Sequence, residues 1–306
     1  MSTNGQSNGT AQHETARASL AAREIPHMVL GDKSQKGPSA ALDSNPEERA
    51  RLRFAVSGNA IVTGGAGTLG FEACSALLEH GLSGLVIFDM SVEQNTTAVK
   101  LLQSRFPGRN IDAYRVDVTD DAAVEAAVQK ASMWLGSLNH LLCFSGIVGC
   151  VHSMDVSAAE WRRVVDVNTT GSFLCAQSVA RLMKVQNTGG SITFTASISA
   201  HRVNFPQPQA AYNVSKAGLV TLKNCLAAEW AQHGIRVNSI SPGYMDTVLN
   251  EGDGLATARA TWTDRNPTGR LGQPGELTGA VVLLTSNAGS YINGADIVID
   301  GGAIVF

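Results

Sequence analysis

From Asn59 onward, short apolar runs alternate with longer segments whose apolar residues recur at helical spacing. The apolar runs at 60–62, 85–88, 111–116, 138–144, 191–195, 236–240 and 295–299 read as strands. Between them, helices are expected at 69–80, 93–105, 120–135, 157–185, 210–233 and 275–286. Regular strand–helix alternation implies a parallel sheet with helices on both faces. Right-handed crossovers then give an α/β fold consisting of a single doubly wound Rossmann domain with a seven-stranded parallel sheet. No internal repeat is evident and no length is left for a second domain, so any substrate site must be built on this same sheet.

The first part of the chain reads differently. Residues 1–57 are rich in Ser, Asn, Gly, Ala and Gln and lack periodic apolar positions, the pattern of a mostly flexible extension to a domain spanning 58–306. The piece Glu24 to Leu30 is apolar enough to lie against the body, and Pro46 to Arg49 reads as the start of a short helix capped by Asn45.

Composition narrows the function classes. Hydrophobic residues make up 44% and charged residues 16%, enough apolar material for one packed core. A net charge of −3 without a basic stripe argues against nucleic acid as a partner. No apolar run is long enough to span a bilayer, and the N-terminus lacks the charged start and apolar stretch of a signal peptide, so a cytoplasmic protein with no membrane partner is expected. The cysteines (Cys74, Cys143, Cys150, Cys175, Cys225) form no CxxC pair and read as reduced, mostly buried thiols, and no His/Cys cluster has metal-ligand spacing.

Chemistry concentrates in two places. The first is Thr63-Gly64-Gly65-Ala66-Gly67-Thr68-Leu69-Gly70, which follows the first strand and opens a helix. Glycines there let the backbone approach a pyrophosphate, which the helix N-terminus would hold with its N–H groups and dipole; Gly64, Gly67, Thr68, Leu69 and Gly70 are the expected contacts. Asp89 ends the second strand, placed to accept the ribose hydroxyls of an adenosine and to repel a 2′-phosphate. No Lys or Arg lies in the loop or follows Asp89 in the chain, which favours NAD over NADP. Asp117 and Val118, after the third strand, are similarly placed to touch the adenine, although Asp117 also suits a helix cap.

The second place is Tyr212-Asn213-Val214-Ser215-Lys216 at the start of a helix, where i, i+4 spacing puts Tyr212 and Lys216 on one face. A phenol with a pKa of about 10 needs a neighbouring ammonium to act as a base near neutrality. Upstream, a strand ends in Thr195-Ala196-Ser197, whose hydroxyl can share a substrate oxygen with Tyr212. Asn168 interrupts an apolar helix with an amide, suited to hold a water linking Lys216 to solvent.

With these motifs in this order, residues 58–306 resemble the classical short-chain dehydrogenase/reductase family. The resemblance implies that Asn168, Ser197, Tyr212 and Lys216 form the family's tetrad. It also implies that Ser241-Pro242-Gly243-Tyr244-Met245-Asp246-Thr247 shapes the nicotinamide pocket, with Pro242, Gly243 and Thr247 as contacts, and that the chain assembles as a homo-oligomer, a tetramer or dimer. The chain departs from the family in three ways. Thr68 stands at a glycine position of the loop. Cys143-Phe144-Ser145-Gly146 replaces the usual Asn-Asn-Ala-Gly, leaving Ser145 and Gly146 beside the cofactor. The family's serine-to-tyrosine spacing points at Ser199, whereas the strand-end context points at Ser197, with the extra length in the loop 204–209; Ser197 fits better and Ser199 competes with it.

Polar residues near the strand ends, His152, Ser199, His201, Asn204, Gln207, Tyr244 and Asn250, are candidate contacts for a hydroxylated small-molecule substrate, under a polar lid from Tyr244 to about Arg270. The segments ASISAHRVNFPQPQAAYNVSKAG and SPGYMDTVLNEGDG are similar to the fungal sugar-alcohol branch of the family, which includes D-arabinitol, sorbitol, mannitol and L-xylulose enzymes. The expected function is therefore an NAD-dependent enzyme interconverting a polyol and a ketose. A ketoreductase tailoring a secondary metabolite and a non-catalytic NAD-binding regulator are the alternatives.

Overall fold

A computed structural model of the chain describes residues 25–31, 45–247, 250 and 253–305. Its sheet has the strands β1 (Asn59–Thr63), β2 (Gly84–Asp89), β3 (Asn110–Arg115), β4 (His140–Cys143), β5 (Gly190–Thr195), β6 (Ile235–Pro242) and β7 (Asp296–Ile299). They pair in the order β3-β2-β1-β4-β5-β6-β7, every pairing parallel. The chain order reverses between β1 and β4, which opens a crevice beyond their C-terminal ends.

The helices are α1 (Pro46–Arg53), α2 (Thr68–Glu79), α3 (Val92–Arg105), α4 (Asp121–Leu135), α5 (Ala158–Val165), α6 (Gly171–Gln186), α7 (Ala210–Trp230), α8 (Ala256–Asp264) and α9 (Thr278–Thr285). Because crossovers cover both faces, the strands are continuous apolar runs; β1, β4 and all but the end of β2 are buried throughout. One core, with Val86, Phe88, Leu141, Phe194 and Val237, lies under α4, α6 and α7. The other, with Val62, Leu85, Ile87, Leu142 and Ile240, lies under α2, α3 and α9. Each fully buried phenylalanine or leucine contributes about 2–3 kcal/mol of burial free energy. The edge strands are the exceptions: β3 is exposed at both ends, and all residues of β7 remain half-exposed in the single chain.

The expected helix at 157–185 is present but not regular. Residues 166–170 form one π-turn between α5 and α6, closed by the Gly171 N–H on the Asp166 carbonyl, and Asn168 sits in it with no solvent exposure. Such a turn is where an α-helix admits one side chain out of register. The expected helix at 275–286 starts as a 3-10 turn at Pro274–Leu277 before α9.

At the N-terminal side, Asn45 caps α1 by accepting the Glu48 N–H at 2.8 Å, as its sequence suggests. Residues 25–31 are exposed and without regular structure, and a Cβ on Gly31 would lie 3.7 Å from the Ala231 carbonyl oxygen; Glu24 lies outside the described residues. Cys74, Cys143 and Cys175 are buried and Cys150 and Cys225 exposed, all of them free thiols. Among the described residues no helix is long and apolar enough to cross a membrane, and no group of His, Cys, Asp and Glu is arranged to hold a metal ion.

Candidate active site

The turn after β1 is built to admit something against its backbone. Gly64 has φ +66°, and a Cβ there would lie 2.6 Å from the Ser145 N in the loop after β4. A Cβ on Gly70 would lie 2.3 Å from the Gly64 carbonyl oxygen, so the first turn of α2 presses directly on the loop. Gly67 is the N-cap of α2 and supplies no side-chain cap, and the first turn carries no acidic residue. Its leading N–H groups, at Thr68 and Leu69, are therefore available to an anion, reinforced by the helix dipole. The loop from β4 is tied alongside, with Phe144 N donating to Thr63 O at 2.9 Å and Ser145 N to Thr63 Oγ1 at 3.3 Å. A glycine cradle, an uncapped helix start and a crevice at the strand reversal together fit a dinucleotide.

Asp89 ends β2 with one carboxylate oxygen accepting the Ser91 N–H at 3.2 Å. The sequence places no cation after it, but the sheet does: Arg115 is its register partner on β3. Alternation puts both side chains on the face of Ile87 and α2, and Arg115 is exposed. Asp117 is exposed. Its Oδ1 accepts Thr119 N–H at 2.9 Å and Thr119 Oγ1–H at 2.7 Å, bonds that hold its pKa below the ordinary carboxylate value. Val118 is buried against Gly171. Asp117 thus caps its own turn, while Asp120 is the N-cap of α4.

The second cluster gathers at the ends of β4, β5 and β6. Tyr212, in the first turn of α7, lies near the Ser197 hydroxyl, which acts on its phenol. Burial raises its pKa above the ordinary 10, a hydrogen bond donated by the Ser197 hydroxyl acts to lower it, and the nearby Tyr244 phenol raises it. Lys216 lies one turn on, buried, with Nζ 5.6 Å from the Tyr212 ring centre. Its ammonium donates to Thr195 O at 2.7 Å, and burial pulls its pKa down to about 8, with Cys143 beneath it acting in the opposite sense. Sequence reasoning expected the lysine to lower the phenol; burial is the largest influence on it instead, and it acts upward.

Asn168 also differs from expectation. Its Oδ1 accepts Ile147 N–H at 2.8 Å, and its Nδ2 donates to Ile147 O at 3.0 Å and Ser215 Oγ at 2.9 Å. The side-chain amide is thus committed to the loop after β4 and to α7, and is not turned out to hold a water. Gly146 fits between the two buried groups: a Cβ there would lie 3.3 Å from Asn168 Oδ1 and 3.5 Å from Lys216 Nζ. Ser215 completes the clamp by donating to the Tyr212 carbonyl at 2.8 Å.

Pro242 ends β6, and Gly243 follows with its N–H on Ile299 O at 2.9 Å; Cβ there would meet Asp300. Thr247 is buried, and its carbonyl accepts Asn250 N–H at 2.8 Å. Over this turn lies the segment that carries α8. It is anchored by Arg259, which bonds Asp246 Oδ1 at 2.8 Å and Asn250 O at 2.7 Å.

The polar residues expected to meet substrate are mostly engaged already. Asn250 Nδ2 donates to Met245 O at 2.7 Å. His201 Nε2 faces Asp296 Oδ2 at 2.9 Å and Ser241 Oγ at 3.2 Å, which ties it to β6 and β7. His152 is exposed in a turn. Asn204 and Gln207 join a partly buried network with Ser199, Gln209, Tyr244 and Trp262. Within it Tyr244 and Trp262 stack with ring centres 4.2 Å apart and planes at 7°. Trp262 and Gln209 had no local sequence signal, because nothing in a short polar helix marks which residue turns inward. Arg115 was legible only once β2 and β3 were set in register.

Comparison with known proteins agrees with this geometry. Residues 64–303 match a family profile described as enoyl-(acyl carrier protein) reductase. An NADP-dependent mannitol dehydrogenase of Hypocrea jecorina is 37% identical over 252 residues, covering 81% of this chain and 93% of that protein. A ribulose-forming D-arabinitol 2-dehydrogenase of Scheffersomyces stipitis is 34% identical over 257 residues, covering 79% of this chain and 92% of its own length. Among solved structures, a short-chain type dehydrogenase/reductase from Mycobacterium marinum superposes with a TM-score of 0.76 at 36% identity, covering 82% of this chain and 97% of that one.

Proposed function

Because the chain belongs to the short-chain dehydrogenase/reductase family and is an oxidoreductase of secondary alcohols and ketones, we propose that it interconverts a polyol and a ketose with NAD(H). The observation that carries this reading is the Tyr212–Ser197 pair beside the buried Lys216, set at the strand ends across from the glycine cradle.

The bound nicotinamide would supply a hydride acceptor or donor. The loop from Gly64 to Gly70, with Asp89, Ser145, Gly146, Pro242, Gly243 and Thr247, would hold the dinucleotide. The chain's own groups handle the proton. Tyr212 takes the proton of the substrate hydroxyl in oxidation and returns it to the carbonyl oxygen in reduction. Ser197 donates a hydrogen bond to that same oxygen as charge develops on it. Lys216 keeps a positive charge under the phenol below its pKa of about 8. Asn168 fixes the β4 loop against α7 so that Lys216 and Tyr212 hold their places. The polyol names of the relatives support a hydroxylated substrate.

Asp89 supports NAD(H). A second reading, NADP(H), is supported by Arg115 beside Asp89 and by the name of the mannitol dehydrogenase. The half-exposed edge strand β7, with Ile297 and Ile299, supports a homo-oligomer built on that edge. Initial rates with NAD⁺ and NADP⁺ across pentitols, hexitols and simple secondary alcohols test the assignment. Oxidation of one or two polyols is expected. Silence on every polyol with intact cofactor binding would overturn the substrate class.

A further inference from the structure

The partly buried network behind Ser197 has a fixed direction, and the direction is set from the lid. An indole N–H only donates. Trp262 Nε1 donates to Gln207 Oε1 at 3.1 Å, which forces the Gln207 amide nitrogen to the other side. There it donates to Tyr244 Oη at 3.2 Å and toward Gln209 Oε1 at 3.4 Å. Gln209 Oε1 also accepts from Asn204 Nδ2, so the Asn204 oxygen is left as an acceptor. It takes the Ser199 hydroxyl proton at 2.7 Å.

Ser199 has only that proton to give. The 3.0 Å bond between the two serine hydroxyls must therefore use the proton of Ser197, while Ser197 Oγ accepts the Ser199 N–H at 3.1 Å. What Ser197 can offer Tyr212 in the resting protein is a lone pair, which suits a protonated phenol. To support the phenolate, Ser197 must turn its proton away from Ser199 and break that bond.

We propose that Trp262 is a positioning residue that fixes, through Gln207, Gln209, Asn204 and Ser199, where the Ser197 hydroxyl points its proton. The chain then holds Tyr212 as the phenol until substrate arrives, and it keeps Ser199 from acting on substrate. The other groups facing Tyr212 are Lys216 on its own helix and Tyr244 from the turn after β6. Cys143 on β4 acts on Lys216, and Arg202 and Arg265 act on Tyr244. Trp262→Phe reaches Tyr244 through the stacked ring and the Gln207 amide, whereas Ser199→Ala contacts none of these groups.

The inference rests on Tyr212 and Ser197 as the proton-transfer pair, so its test uses no substrate. The phenol ionisation of the full-length protein is followed by ultraviolet difference titration, with Tyr212→Phe subtracted. Trp262→Phe keeps a ring against Tyr244 but removes the N–H, so the amides can reverse and Ser197 can donate to the phenolate at no loss. Ser199→Ala removes the acceptor of the Ser197 proton directly. Each is expected to move the Tyr212 transition to lower pH by on the order of half to one unit, the worth of one hydrogen bond. The double variant is expected to move it no further than the larger single shift. Should Trp262→Phe loosen the lid, Ser199→Ala alone still tests the direction. No shift in either single variant, a shift to higher pH, or shifts that add in the double variant would overturn the proposal. Inactivity on polyols would instead count against the proposed substrate and leave the titration result standing.

Discussion

Lys216 aims its ammonium at the Thr195 carbonyl, 2.7 Å away, while the Tyr212 ring centre stands 5.6 Å off. The charge is thus held by the sheet and presented to the phenol from below. Burial leaves the lysine with a pKa of about 8 against an ordinary 10.5. The folded chain therefore binds fewer protons at this site than the unfolded chain between about pH 8 and 10.5, and stability rises with pH across that window. Below pH 8 the penalty is full, about 3 kcal/mol on the order-of-magnitude scale of such shifts. Lys216→Met removes it and orphans the Thr195 carbonyl, a loss of about 1–3 kcal/mol. Urea melts at pH 7 are expected to find this variant at least as stable as the wild type, with the difference shrinking by pH 10, and turnover abolished. A large loss of stability at pH 7 would show that the ammonium bond outweighs burial.

The two serines should separate cleanly. Ser197 acts on the Tyr212 phenol, and Ser199 commits its proton to Asn204. Ser197→Ala is expected to lower kcat about a hundredfold or more, as when a donor to a developing oxyanion is lost. Ser199→Ala is expected to lose less than about tenfold, the effect of one neutral hydrogen bond. The reverse order, read in steady-state rates on whichever polyol turns over, would return the role to Ser199.

Gly70 has no room for a side chain, since Cβ would lie 2.3 Å from the Gly64 carbonyl oxygen. Gly70→Ala must therefore push the start of α2 off the loop. Dinucleotide affinity, measured by calorimetry, is expected to fall at least tenfold. At Gly108, where a Cβ meets nothing within 4 Å but φ is +86°, alanine is expected to cost about 1–2 kcal/mol of stability and leave affinity unchanged.

Cofactor choice turns on Asp89 and Arg115, register partners on β2 and β3. Arg115→Leu is expected to weaken NADP⁺ about tenfold with little effect on NAD⁺, the worth of one charge-assisted hydrogen bond. Asp89→Asn is expected to weaken NAD⁺ and relieve the repulsion against NADP⁺. If Arg115→Leu leaves the ratio of the two affinities unchanged, the guanidinium takes no part in reading the ribose.

The fold was legible because strands buried on both faces are written as unbroken apolar runs such as Leu85 to Phe88, and glycines mark the turns. Tyr212, Lys216 and Ser197 were legible because their spacing lies within one helix and at one strand end. Side-chain commitments were not. Asn204, Gln207 and Asn250 read as polar residues near a mouth, but nothing local tells which amides are already matched to an indole or a backbone carbonyl. The π-turn around Asn168 was likewise invisible, since an apolar stripe drifts across one extra residue without breaking. Arg115 escaped because adjacency across a parallel sheet is separated in the chain by a whole helix.

The loop from Asn204 to Gln209 has a consequence for anyone recombining related enzymes. Its amides take their orientation from an indole on α8, so loop and lid are not independent cassettes. Grafting the loop onto a relative with no indole at the matching place would carry over every amide and lose their handedness. Exchanges of substrate preference within this fold should therefore succeed when both segments travel together, and give sluggish hybrids when either moves alone.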